Sequence, residues 1–188
     1  MTVLILGLAL WSAGHLFPIY APDRRAAAIA RLGAGPYKAL FALVALGAIV
    51  LMVVGYRQAA FVNLWFPPAW TVHLNNLLML VAVFLVGAKH ARSSARHYVR
   101  HPMLLGVVLW AVAHLAVNGD LASLVLFGGL GAWAVVAMLG ANARGGAWVR
   151  PPKGDTPGLI RHLAITLVVF AVILGIHGPL LGVRAIPG

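Results

Sequence analysis

The chain has 188 residues, 62% of them hydrophobic and only 9% charged, where a soluble domain carries roughly 25% charged residues; no water-soluble fold of this length hides so much apolar surface. A net charge of +11 would suit nucleic acid, but the Lys and Arg residues fall between apolar runs rather than along one polar face, and no base-reading motif accompanies them. Nucleic acid is therefore excluded as a partner. The absence of cysteine removes disulfides, thiolate metal sites and cysteine nucleophiles.

Apolar runs of about the ~20 residues that carry a helix across a ~30 Å hydrocarbon layer recur along the chain. The first covers 2–17 and holds Trp11 and His15; without a charged beginning, and with those two side chains inside it, it reads as a retained helix rather than a cleaved leader. Pro18 and Pro22 close it. The second run covers 37–56, with Lys38 at its start, and Pro67-Pro68 precede the third, 72–88, where His73 sits. His101-Pro102 opens the fourth, 103–117. Asn118-Gly119-Asp120 then reads as a tight turn into the fifth, 121–141. Pro151, Pro152 and Gly154 break the long loop before the sixth, 163–181. The fold expected is all-α, a bundle of about six transmembrane helices in a single domain over 1–188, with the lipid bilayer as its partner.

Direction follows from charge. Alternate loops hold Arg24, Arg25, Arg31, Lys38, Lys89, Arg92, Arg96, Arg100, Arg144, Arg150, Lys153 and Arg161, whereas the other set holds only Arg57 and Arg184. Six crossings put all of the first set on one side, which the positive-inside rule makes cytoplasmic, with both termini on the opposite side.

Eight histidines against three aspartates is an unusual ratio. His15 and His114 fall inside runs, where an ionisable side chain is a functional candidate. His90, His97 and His162 read as solvated loop residues, and His101 as a cap for the fourth helix. His15 and His114 share one context, Leu10-Trp11-Ser12-Ala13-Gly14-His15-Leu16 and Leu109-Trp110-Ala111-Val112-Ala113-His114-Leu115. In each, the Trp at i−4 shares a helical face with the His, and the intervening residues are mostly small, which leaves room for a flat ligand. Because the two runs point in opposite directions, the match is what two inverted three-helix halves would produce. Two imidazoles with no nearby carboxylate or thiolate suit a haem iron better than zinc, since a porphyrin supplies four nitrogens and asks only for axial ligands. Arg100, His101, Lys38 and Lys89 are candidate donors to haem propionates on the basic side.

These residues resemble the NnrU family of bacterial membrane proteins, related to the zeta-carotene isomerases. Carrying the resemblance are Gly14-His15-Leu16, Tyr37-Lys38-Ala39-Leu40-Phe41, Pro67-Pro68-Ala69-Trp70 with His73, and Arg100-His101-Pro102-Met103-Leu104-Leu105-Gly106, followed by the Trp110 to His114 stretch and Asn118-Gly119-Asp120-Leu121-Ala122-Ser123. The resemblance implies a bacterial inner membrane, termini in the periplasm, and haem b (iron protoporphyrin IX) held by His15 and His114 as metal ligands, with Trp11 and Trp110 beside them. For the NnrU branch it implies a role in nitrogen-oxide, denitrification-linked metabolism with a diatomic gas as ligand, or electron transfer. For the isomerase branch it implies cis-trans isomerisation of an apolar polyene. A membrane methyltransferase is the third reading, because Arg100-His101-Pro102 before a Gly also occurs there, but the only carboxylates are Asp23, Asp120 and Asp155.

Overall fold

In hydrocarbon a backbone must satisfy its own N–H and C=O groups, so long apolar runs close into helices. The computed structural model describes residues 1–88 and 95–181, which leaves Lys89, His90, Arg92 and Arg184 outside the described residues. The elements are α1 (Thr2–Tyr20), α2 (Pro22–Leu32), α3 (Ala34–Arg57), α4 (Thr71–Gly87), α5 (Ala95–Tyr98), α6 (Pro102–Leu115), α7 (Leu121–Ser123), a π-helical turn (Leu124–Gly128), α8 (Gly129–Gly145) and α9 (Thr156–Leu181). α7, the π turn and α8 run on as one rod, Leu121–Gly145. Each of the six expected runs is helical. Among the described residues, four helices are long and apolar enough to cross a membrane: α1, α3, the rod and the Thr156–Pro179 stretch of α9. α4 and α6 are shorter apolar helices of 17 and 14 residues.

Among the differences from the sequence expectation, three have a clear local reason. α2 lies in what reads as a loop; its apolar content is too low to resemble a crossing, but Pro22 in the first turn, Asp23 beside it and Arg31 in the last turn suit a helix. α1 passes through Pro18 to Tyr20. Its last carbonyls are taken up from another helix, since Arg144 donates to the oxygens of Pro18 and Ile19 at 2.9 and 3.0 Å. α9 starts seven residues earlier than 163 because Asp155 accepts the Gly158 N–H at 2.7 Å and so supplies a cap. Those seven residues, almost two turns, bring Arg161 and His162 into the helix. His162 is buried, 3% exposed, which corrects its reading as a solvated loop residue.

α1 packs along α3. The two backbones approach closely at Gly7, where a Cβ would stand 2.7 Å from the Met52 nitrogen, and at Gly55, where it would overlap the Leu4 backbone. On the other side of the bundle, α4 packs along α6 and carries α9. The rod lies against both α1 and α6 and joins the two groups. Leu4, Met52 and Ala122 form the buried core of the first group, while large side chains such as Leu43, Leu139 and Val168 are exposed around the outside, the expected surface of a protein whose solvent is lipid.

The 58–70 loop and the 118–120 turn are clasped together by backbone bonds from Leu64 and Trp65 to the Gly119 oxygen, 2.7 and 3.1 Å, and from Leu121 to the Val62 oxygen, 2.9 Å. This is the hairpin end of the bundle. The opposite, basic end carries α2, α5 and the loop before α9. There Arg100 donates to the Gly146 oxygen at 2.8 Å and His101 Nε2 to Asn142 Oδ1 at 2.9 Å.

Candidate functional site

His15 is held within an aromatic box. Its ring stacks on Trp11 with centroids 3.9 Å apart and meets Phe41 and Trp133 edge-on at 5.0 and 5.4 Å. Its Nδ1 lies 2.9 Å from the Trp11 carbonyl oxygen. A carbonyl can only accept, so Nδ1 carries the proton and Nε2 keeps the lone pair. The indole nitrogens of Trp11 and Trp133 are both buried without a hydrogen-bond partner.

His114 repeats this arrangement on α6. Nδ1 donates to the Trp110 oxygen at 2.9 Å, and the ring stacks on Phe127 at 4.5 Å. Phe127 belongs to the π turn, which adds a residue to one helical turn and so re-aims the side chains around it; such turns gather at functional sites. The shared Leu-Trp-x-x-x-His-Leu pattern therefore has a shared geometry. In both copies the ring is oriented by its own helix, and Nε2 is left as a ligand atom, the usual tautomer of a metal-binding histidine.

The two rings do not face each other. Gly129 and Trp133 turn toward α1, meeting Leu8 and the Trp11 and His15 rings, whereas Phe127 and Gly131 turn toward α6, meeting His114 and Ala111. At about 100° per residue, positions 129 and 131 point roughly 200° apart, so the rod stands between α1 and α6. The levels also differ: Phe127 and Trp133 are six residues apart, or about 9 Å of rise.

His114 instead opens into a cavity of about 1560 Å³ between α3, α4, α6, the rod and α9, which His15 does not line. That volume exceeds the roughly 300–1,000 Å³ of small-ligand pockets. Its walls are mainly aliphatic, among them Val53, Met79, Val83 and Ile165. Polar groups gather toward the hairpin end, where Tyr56, Arg57, Asn75, His114, Asn118 and His177 line it. Asn75 Oδ1 is buried there without a hydrogen-bond partner, the mark of a group placed for something other than packing. At the basic end the lining includes Arg161 and His162, whose ring stacks on Phe84 at 4.2 Å.

Of the residues singled out from sequence, His114 and Trp110 line the cavity; His15, Trp11, Lys38, Arg100 and His101 do not. Arg100 and His101 hold the basic end together, and Lys38 is exposed at the start of α3. His73 is exposed on α4 and also lies off the cavity. Missed from sequence were Arg57, Asn75, Arg161 and the cavity positions of His162 and His177. For Arg57 a signal existed: a basic residue on the side where the positive-inside pattern needs none. Among the described residues no three His or Asp side chains gather to hold a bare metal ion.

Residues 3–185 match the NnrU protein family. No curated protein and no solved structure matches the chain.

Proposed function

The chain belongs to the NnrU family, and from that membership and the His114 cavity we propose that it is a haem b-binding integral membrane protein acting in nitrogen-oxide-linked or redox metabolism. The observation that carries this reading is the His114 ring: it lines a large, mainly apolar cavity, and its Nδ1 proton is fixed on the Trp110 carbonyl, which leaves the lone pair on Nε2. The residues present fit a porphyrin, which needs one or two imidazoles, apolar walls for its plane, and a cation for its carboxylates. Haem iron would supply one-electron chemistry or diatomic-gas binding at such a site. The chain's own part is to orient the imidazole, to exclude water with aliphatic walls and to present Arg57 and Asn75 at the cavity end.

In this reading all six apolar helices cross a bacterial inner membrane. The short α4 and α6 lean on each other, and the basic loops lie in the cytoplasm. A second reading is favoured by the length of the cavity, which follows α4 from Val72 to Gly87: an elongated apolar polyene could lie along it, with haem-dependent cis-trans isomerisation as the reaction. The methyltransferase reading loses support, because no carboxylate is among the described residues of the lining.

The test is the absorption spectrum of the full chain purified in mild detergent from haem-replete cells. A Soret band with sharp reduced α and β bands, lost in His114→Ala, is expected; a colourless, folded protein overturns the reading. Turnover of tri-cis-zeta-carotene under reducing conditions separates the isomerase from the nitrogen-oxide or electron-transfer role.

A further inference from the structure

We infer that α2 is a membrane-surface helix that docks on the phosphates of anionic phospholipids at the basic end of the bundle, through Arg24 and Arg31 together with Lys38 of α3. This goes beyond the haem reading and stands without it.

The packing of α1 on α3 dictates how α2 lies. Leu4 stands level with Gly55, and Gly7 with the turn 48–52. Continued at equal rise along the two antiparallel helices, that register sets Tyr20, the last residue of α1, level with Lys38. α3 begins at Ala34, four residues or ~6 Å farther out. Between them α2 has 11 residues, ~16 Å of helix, joined by the single residues Ala21 and Gly33. Most of its length therefore runs across the end of the α1–α3 pair rather than away from it. Gly33, at φ 85°, makes the turn into α3.

The helix is also two-sided. At about 100° per residue, Pro22, Ala26 and Ile29 fall on one side, with Ile29 half-buried, while Arg24 and Arg31 fall on the opposite side, both exposed. A helix in the plane of the bilayer with one apolar side and cations on the other seats at the level of the headgroups. The positive-inside pattern asks only for charge on this face; it does not ask for a two-sided helix. These cations are also uncommitted, unlike their neighbours. Arg100 and Arg144 donate to backbone carbonyls, Arg150 lies over Trp148, Lys153 over Tyr98 and Arg25 over Tyr37. Arg24, Arg31 and Lys38 have no partner among the described residues. Of the three carboxylates, Asp120 and Asp155 are engaged by Ser123 and Gly158, and Asp23 pairs with none of the three cations. The chain thus supplies no anion for this surface, and lipid phosphates at the same level do.

The test uses the full chain reconstituted in phosphatidylcholine vesicles with and without phosphatidylglycerol. Electron paramagnetic resonance of a trace of spin-labelled lipid of either headgroup reads how strongly the protein selects the anionic one. Selection of phosphatidylglycerol is expected in wild type and in Arg24→Lys with Arg31→Lys, because charge suffices. It is expected to fall several-fold in the triple variant Arg24→Gln, Arg31→Gln, Lys38→Gln, whose side chains are all exposed in the wild type, and far less in Arg150→Gln with Lys153→Gln. The lie of the helix is read separately. Single cysteines placed along 24–31 of this cysteine-free chain carry a nitroxide, and its depth is expected to oscillate with the helical period. A depth that changes steadily along α2 overturns the proposal, and so does a triple variant that selects as wild type does. Equal association with both lipids, the result if an acidic protein were the occupant, overturns it as well. Selection abolished by inorganic phosphate at matched ionic strength would mean an anion site rather than a lipid surface, with the same consequence. Pigment, or its absence, alters none of these outcomes.

Discussion

His15 and His114 stand on opposite faces of the rod Leu121–Gly145, one ring edge-on to Trp133 and the other stacked on Phe127. Substitutions on the rod should therefore separate the two histidines. Phe127→Ala removes the stacking partner of His114 and leaves a void in a buried position; it is expected to cost about 3 kcal/mol in detergent unfolding and to broaden or shift the Soret band. Trp133→Phe removes a buried indole N–H that has no partner and keeps an aromatic face toward His15. It is expected to change stability by less than about 1 kcal/mol and to leave the spectrum in place. Equal spectral effects from the two substitutions would mean that the rod does not separate the sites.

The same pair shows how far the sequence reaches. The Trp and His of each copy meet because both lie on one helix, and the bond from Nδ1 to the carbonyl four residues back is a property of that helix; no tertiary information is needed to anticipate it. Whether two such histidines face each other depends on what packs between their helices. That is decided by Gly129 and Gly131, whose missing side chains admit Leu8 and Ala111 from opposite sides. Nothing in the spacing of His15 and His114 reports it. Likewise, apolar runs located the four helices long and apolar enough to cross a membrane and the two shorter apolar ones, since hydropathy is additive along a chain, but α2 is stabilised by end effects that a hydropathy scan does not weigh. Hydropathy alone leaves His162 in a loop; the Asp155 cap lengthens α9 by almost two turns and takes it into the helix.

A hydrogen-bonded chain closes the hairpin end. Tyr56 donates to Ser123 Oγ at 2.8 Å, Ser123 donates to Asp120 Oδ2 at 2.6 Å, and Asp120 Oδ1 accepts the Ser123 N–H at 2.9 Å. Ser123 is fully buried. Asp120→Ala removes the cap of α7 and strands the Ser123 hydroxyl, with an expected cost of about 2 kcal/mol. Tyr56→Phe and Ser123→Ala are expected to be non-additive, the double variant costing at least ~0.5 kcal/mol less than the sum of the singles. Strict additivity in a double-mutant cycle would show that the hydroxyls act independently.

The crossing of α1 and α3 makes a sharp contrast among glycines. A Cβ at Gly55 would meet the backbone of Leu4, which cannot yield as a flexible side chain does, whereas a Cβ at Gly47 on the same helix has open space around it. Gly55→Ala is expected to lower stability by about 1–3 kcal/mol through overpacking. Gly47→Ala is expected to be neutral or to stabilise by up to ~1 kcal/mol, the ordinary helix preference for alanine. Thermal aggregation midpoints in one detergent order the two; a Gly55→Ala variant as stable as wild type would mean that α1 sits farther from α3 than described.

Topology can be read without background because the chain contains no cysteine. Six crossings place the 58–70 loop on the translocated side and the loop before α9 in the cytoplasm, so a membrane-impermeant maleimide is expected to label Gln58→Cys in intact cells with a permeable outer membrane. Gly154→Cys is expected to react only after lysis. If the two short helices α4 and α6 fail to cross, the chain between α3 and α9 changes side once, through the rod alone, and Gly154 still ends opposite Gln58; these two sites therefore test the direction of the bundle. The count is tested by the α4–α6 connection. Arg96→Cys lies there, exposed on the four-residue helix α5. With six crossings it labels like Gly154→Cys, because α4 has carried the chain through the membrane; with four it labels like Gln58→Cys. The positive charge of Arg96, Arg100 and their neighbours favours the first outcome, since moving each such residue across the bilayer opposes the rule that fixes the remaining loops.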